Sequence, residues 1–91
     1  MEFTWDARKD RLNRRKHGIS FEAAVRTFDD PFHVTAQDRE VEHELRWQTI
    51  GMVGRSVLLV AHTVDEEEDV IRIISARKAT RAERRIYAEA H

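Results

Sequence analysis

The sequence predicts an α+β fold: a small antiparallel sheet, two N-terminal helices packed on one of its faces, and a C-terminal helix beside it. Three observations predict it. Helix-capping residues bracket two segments near the N-terminus and open a third near the C-terminus. Runs of alternating or β-branched residues fill the second half of the chain. A Gly-Arg pair at 54–55 and an acidic run at 65–69 separate those runs as turns. A chain of 91 residues is one domain, residues 1–91, near the small end of those that fold alone.

Taken in order, Phe3 and Trp5 flank Thr4 in a short edge strand. Asp6 suits an N-cap and Gly18 a C-terminal stop for a helix over 7–17. That helix is almost wholly basic. Its apolar content is little more than Ala7 and Leu12, so it is expected to pack through Leu12 and the alkyl stems of its cations. Ser20 caps a second helix from Phe21 to Phe28, where Phe21, Ala24, Val25 and Phe28 form one apolar stripe. Asp29-Asp30-Pro31 ends it.

A weak strand from Phe32 to Ala36 precedes an exposed polar loop over 37–43. Strands are expected from Leu45 to about Val53 and from Ser56 to Val64, joined at Gly54-Arg55. The last strand begins at Val70. Thr80 and Glu83 have the spacing of a capping box, which marks the start of the terminal helix.

The net charge of −1 conceals strong polarity. Residues 1–21 hold six Lys/Arg against three Asp/Glu, residues 22–69 four against twelve, and residues 70–91 six against two. Basic ends of this kind fit an anionic partner such as nucleic acid. With no cysteine there is neither a disulfide framework nor a thiolate nucleophile. The longest uncharged apolar run, Val57 to Ala61, is far too short to cross a bilayer, and Glu2 and Asp6 interrupt any leader-like start. A cytoplasmic protein without a membrane partner is the expectation. Gly-rich phosphate loops and metal-binding signatures are missing, and five histidines lack ligand spacing, so neither metal nor cofactor is expected.

The chemistry-bearing signal is the strand-to-helix corner. Arg77, Lys78 and Arg81 crowd a junction that packing does not require, with Arg84 and Arg85 one turn on. Arg72 interrupts the apolar residues of the last strand, with Val70, Ile74 and Ala76 as its face mates. His62 does the same one strand earlier, beside Leu58 and Val60. Such groups can cleave RNA without a metal. The 2′-hydroxyl attacks the adjacent phosphate, a base takes its proton, an acid protonates the leaving 5′-oxygen, and cations stabilise the phosphorane. Imidazole suits proton transfer and guanidinium suits phosphate. The candidate catalytic set is His62, Arg72, Arg77, Lys78 and Arg81. The candidate RNA-binding set is Arg8, Arg11, Arg15, Lys16 and Arg84. The alternative is a binding module that engages nucleic acid or a partner through the same patch and catalyses nothing.

The chain also resembles the BrnT family of bacterial toxins over almost its full length. The resemblance rests on Phe3-Thr4-Trp5-Asp6, Asn13-Arg14-Arg15-Lys16-His17-Gly18-Ile19-Ser20-Phe21, Phe28-Asp29-Asp30-Pro31, Arg46-Trp47-Gln48-Thr49-Ile50-Gly51 and His62-Thr63. It rests further on Ile71-Arg72-Ile73-Ile74-Ser75-Ala76-Arg77-Lys78-Ala79-Thr80-Arg81, with Glu83-Arg84 and Tyr87. It implies a RelE-like fold and a ribonuclease toxin of a type II toxin–antitoxin pair. It also implies a BrnA-like antitoxin that masks the toxin and carries the pair to operator DNA. The acidic run from Asp65 to Asp69 departs from the family pattern.

Overall fold

The structure, a computed structural model, describes residues 1–90. Local capping chemistry places its helices. The Asp6 carboxylate accepts the backbone N–H of Arg8 at 2.8 Å and of Lys9 at 3.2 Å, which opens α1 (Ala7–His17). Gly18 closes α1 at φ 73°, a left-handed value that a Cβ disfavours. Ser20 accepts from Ala23 N–H at 3.0 Å and opens α2 (Phe21–Val25). The second helix is shorter than its apolar stripe predicts, because its tail tightens into a 3₁₀ turn, Arg26–Asp29. There Thr27 presses on the backbone of Gly51, where an added Cβ would lie 2.8 Å from the Thr27 methyl.

Five strands form one sheet in the order β1-β5-β4-β3-β2, with β1 (Glu2–Thr4), β2 (Val34–Val41), β3 (Glu44–Val53), β4 (Ser56–Asp65) and β5 (Val70–Lys78). The sheet is mixed, which corrects the antiparallel expectation. β1 pairs parallel to β5, Phe3 opposite Ile71, because the chain returns beside its first strand only after laying down the other three. β2 is also longer than expected. Residues read as an exposed loop continue the strand through a bulge between Gln37 and Glu40. A two-residue turn follows, with Glu42 at φ 50° and His43 at φ 66°. Gly54, at φ 61°, turns β3 into β4 as expected.

A second register shift, opposite Ala61 and His62, redirects β5. Val60 faces Ala76 and His62 faces Ile73, so Ala76 shares the core face rather than the face of Arg72, where alternation placed it. The core gathers Ile19, Phe21 and Ala24 from the helical segment onto Leu58, Val60, Ile71, Ile73 and Ala76. α1 is not held as expected. Leu12 is 51% exposed, and the anchor is buried Asn13. β1 covers only Val70–Arg72 of β5, and beyond it the Asn13 amide takes the place of a strand. It accepts Ala76 N–H at 3.1 Å and donates to Ala76 C=O at 2.8 Å and to Ile19 C=O at 2.9 Å. The final helix, α3 (Arg81–Glu89), contacts β3.

Candidate nucleic-acid interface

At the β5–α3 junction the capping box forms as the spacing predicts. Thr80 Oγ1 accepts Glu83 N–H at 3.2 Å, and Glu83 Oε1 accepts Thr80 N–H at 2.8 Å. The same carboxylate takes both ends of the Arg77 fork, at 2.7 and 2.9 Å. That fork holds the Glu83 carboxyl down at about 2 and raises Arg77. Arg77 is therefore committed to shaping the corner. A bidentate, partly buried pair that also caps a helix does not exchange readily with a ligand.

Arg72 lies elsewhere, about 20 Å from Lys78 at some 3.3 Å per residue along β5. It pairs with Glu44 and reaches Thr63 Oγ1 at 3.4 Å, with the two charged side chains 42% and 46% exposed. A pair so exposed is worth about 0–1 kcal/mol and can exchange with another anion. The surrounding cavity, about 350 Å³, is lined by that one cation and by Glu44, Asp65 and Glu68.

His62 stands in the core, 1% exposed, with Nε2 on Thr49 Oγ1 at 2.8 Å and its ring edge-on to Phe28 at 5.0 Å. Burial pushes its pKa down to about 4, only partly opposed by the Thr63 backbone. It is neutral at physiological pH and remote from solvent.

Lys78 is exposed and stands between two adjoining recesses. One, about 190 Å³, is lined by Arg55, Ser56, Val57, Lys78, Ala79 and Arg84. Arg84 is held there by a 3.0 Å bond from Nη1 to the Ala79 carbonyl. The other, about 370 Å³, runs past Ser56 to Ser20 and Arg14. Among the described residues, neither has a carboxylate in its wall. Arg81 is exposed on the first turn of α3. Arg8, Arg11, Arg15 and Lys16 are exposed on α1, where the first three recur at three- and four-residue spacing as one stripe. Arg14 joins that stripe to the larger recess.

Of the sequence-derived set, the structure thus groups Arg77, Lys78, Arg81 and Arg84 at one corner. It sets Arg72 apart on the sheet and His62 inside it. Arg14 and Arg55 belong to the corner and were missed. Hairpin pairing could have found Arg55. Counting back from the acidic turn sets the start of β4 against the end of β5, and the structure pairs Leu58 with Lys78.

Next to this corner, across the β3–β4 turn, Asp30 fastens three elements. Its Oδ1 accepts Phe32 N–H at 2.9 Å, and its Oδ2 accepts Met52 N–H at 2.7 Å and the Tyr87 hydroxyl. Burial would raise the Asp30 carboxyl, but these donors together hold it below its ordinary value. The bond to Asp30 pushes Tyr87 up to about 12.

Among the described residues, no three His, Cys, Asp or Glu side chains gather as a metal site, and no helix is long and apolar enough to cross a membrane. Fold and corner together define a small α+β protein that presents clustered cations, the equipment of a polyanion binder. A family model described as the ribonuclease toxin BrnT of type II toxin–antitoxin systems matches residues 5–83, and the chain belongs to that family. It is therefore a toxin ribonuclease, with RNA as its target and an antitoxin protein as its partner. No curated protein matches the sequence in a direct search.

Proposed function

We propose that the protein is a metal-independent endoribonuclease that grips RNA at the Arg14–Arg55–Lys78–Arg84 corner. It cuts by attack of the 2′-hydroxyl on the neighbouring phosphate. The observation that carries this reading is the recess lined, among the described residues, by three cations and no carboxylate. Among the described residues, a phosphate there meets no competing anion in the recess wall, unlike at Arg72 or Arg77. The phosphate gains negative charge as the phosphorane forms, and fixed cations stabilise that state more than the ground state.

In the reaction the O2′–P bond forms and the P–O5′ bond breaks. The proton of the 2′-hydroxyl passes to solvent, and the Lys78 ammonium donates one to the leaving 5′-oxygen. The products are a 2′,3′-cyclic phosphate and a free 5′-hydroxyl. Arg55 and Arg84 hold the phosphate, and Arg81 meets the flanking nucleotide. Arg77 acts through Glu83 by setting the start of α3. The α1 stripe of Arg8, Arg11 and Arg15, with Lys16, extends the backbone track. His62 supports the sheet and takes no part in proton transfer. Arg72 is an auxiliary contact, open to phosphate once Glu44 is displaced.

A RelE-like arrangement is the architecture that the resemblance implies, and the small α+β sheet with its terminal helix supports that reading. A BrnA-like antitoxin covers the same corner, and the pair acts in the cytoplasm. Purified protein incubated with RNA and EDTA tests the central reading. Cyclic-phosphate ends are expected at an undiminished rate. Loss of cleavage on chelation, or intact RNA under all conditions, overturns it.

A further inference from the structure

The terminal helix is fastened to the body at two places on one of its faces. Among the described residues of α3, Glu83 and Tyr87 are the two shielded from solvent, and they stand one turn apart on the same side. No side chain of α3 is buried among the described residues, and Ile86 is 53% exposed, so apolar packing holds the helix weakly. Glu83 takes the Arg77 fork and fixes the first turn. Beyond that turn, among the described residues, the bond that ties α3 to another element runs from the Tyr87 hydroxyl to Asp30 Oδ2. The same oxygen accepts Met52 N–H at 2.7 Å, in the strand that leads into the Gly54-Arg55 turn. Arg84 lies between the two fastenings and lines the recess with Arg55 and Lys78.

We infer that Asp30 is a positioning residue of the ribonuclease: through Tyr87 it sets the direction of α3 and so keeps Arg84 facing Arg55 and Lys78. The inference rests on the ribonuclease reading above and adds to it the residue that keeps the phosphate recess assembled. One carboxylate is bonded to both sides of that recess. Met52 belongs to the strand that delivers Arg55, and Tyr87 to the helix that delivers Arg84. A hydrogen bond to a carboxylate is stronger than one between neutral groups. The bond also pushes the Tyr87 hydroxyl up to about 12, so it keeps its proton and remains a donor at neutral pH. Cations held in place beforehand stabilise a developing phosphorane without the cost of gathering them.

The test uses the full chain and a 2′-O-methyl oligouridylate, which lacks the attacking hydroxyl and stays intact. Binding is followed by anisotropy of a terminal dye. Tyr87→Phe removes one oxygen and leaves the ring. It is expected to weaken binding about fivefold, a part of the roughly tenfold or more that a bond to a charged group is worth. In an Arg84→Ala background the same substitution is expected to change binding by less than about 1.5-fold, because its effect passes through Arg84. Asp30→Ala is expected to weaken binding at least as much as Tyr87→Phe, and the two together no more than Asp30→Ala alone.

A second readout leaves Asp30 and Tyr87 unchanged. Tyr87 is the chain's one tyrosine, so an isotopic label on the ring carbon that bears the hydroxyl gives one NMR signal. Coupling between two sites is reciprocal. The oligouridylate is therefore expected to shift that signal in the unmodified protein and to leave it in place in Arg84→Ala.

Unchanged binding by Tyr87→Phe overturns the inference, and so does a tyrosine signal that ignores the oligouridylate. An equal loss from Tyr87→Phe with and without Arg84 overturns it too, because it marks Tyr87 as a general staple of the fold. A Lys78→Ala/Arg84→Ala variant separates the two claims. If it binds the oligouridylate as well as the unmodified protein does, the corner reading fails. If it loses binding while Tyr87→Phe is silent, the corner stands and the role of Asp30 falls.

Discussion

The β4–β5 hairpin carries a cavity at each end, and the two are opposites. At the acidic turn, Arg72 sits among Glu44, Asp65 and Glu68, and Asp69 holds the amine of Met1 at 3.0 Å. At the far end, Arg55, Lys78 and Arg84 share a recess that has no carboxylate among the described residues. Both ends hold cations, but among the described residues the basic end lines its recess without a carboxylate and the acidic end does not. Their separation, about 20 Å along β5, is some twice the screening length at physiological salt. The acidic end therefore does not neutralise the basic one, and a net charge near zero is no guide to what either attracts. The lesson is that one residue type meets opposite surroundings at the two ends of a hairpin, according to where the fold places its carboxylates.

The comparison breaks most visibly at the basic end. Lys78→Ala with Arg84→Ala should lower RNA cleavage at least about 100-fold, the scale of losing a preorganised charge partner in the transition state. End-labelled RNA resolved on a gel measures it, and a loss under tenfold would deny this recess the phosphate.

Next in size is the scaffold that carries that end. Asn13→Ala strips Ala76 of partners for both its N–H and its C=O, two residues before Lys78. A loss of about 3 kcal/mol is expected in urea denaturation. A pH-dependent effect comes from His62. Its folded pKa of about 4 lies below the ordinary 6.5, so on acidification the unfolded chain takes up the proton first. Stability from this group is full above 6.5 and is lost as pH falls toward 4. Glu83, held at about 2, adds a second loss from 4.5 downward. Urea midpoints across that range should fall, and His62→Phe should flatten the upper part. Smallest is Arg72→Ala, expected to change cleavage by about threefold or less, because the exposed Glu44 pair contributes little and Arg72 lies far from the recess.

What was legible in the sequence was what short stretches decide. Asp6 with Gly18, Ser20, and Thr80 with Glu83 cap helices by bonds within a few residues, and all of them form. The turn at Glu42-His43 was hidden, because both residues take positive φ without the Asn or Gly that usually announces it. The shift opposite Ala61 and His62 was hidden too. A bulge leaves alternation looking regular while moving Ala76 to the other face. Asn13 reads as one more polar residue on a polar helix until Ala76 is brought beside it from 63 residues away. For the candidate site, cation density pointed to the corner at which the structure gathers Arg77, Lys78 and Arg84. It could not tell Lys78 from Arg77, because Glu83, read only as a cap, also takes the Arg77 fork. His62 alternates with Leu58 and Val60, and that pattern already marked the core face on which it lies.

The most direct test of the carboxylate-free corner is the salt dependence of binding to a non-cleavable single-stranded RNA. Each phosphate neutralised contributes about 0.7 to the slope of log K against log salt. Removing Lys78 and Arg84 together should lower that slope by about 1.4, while removing Arg72 and Arg77 together should lower it by less than about 0.7. Equal slopes for the two double variants, or an unchanged slope without Lys78 and Arg84, would contradict the account.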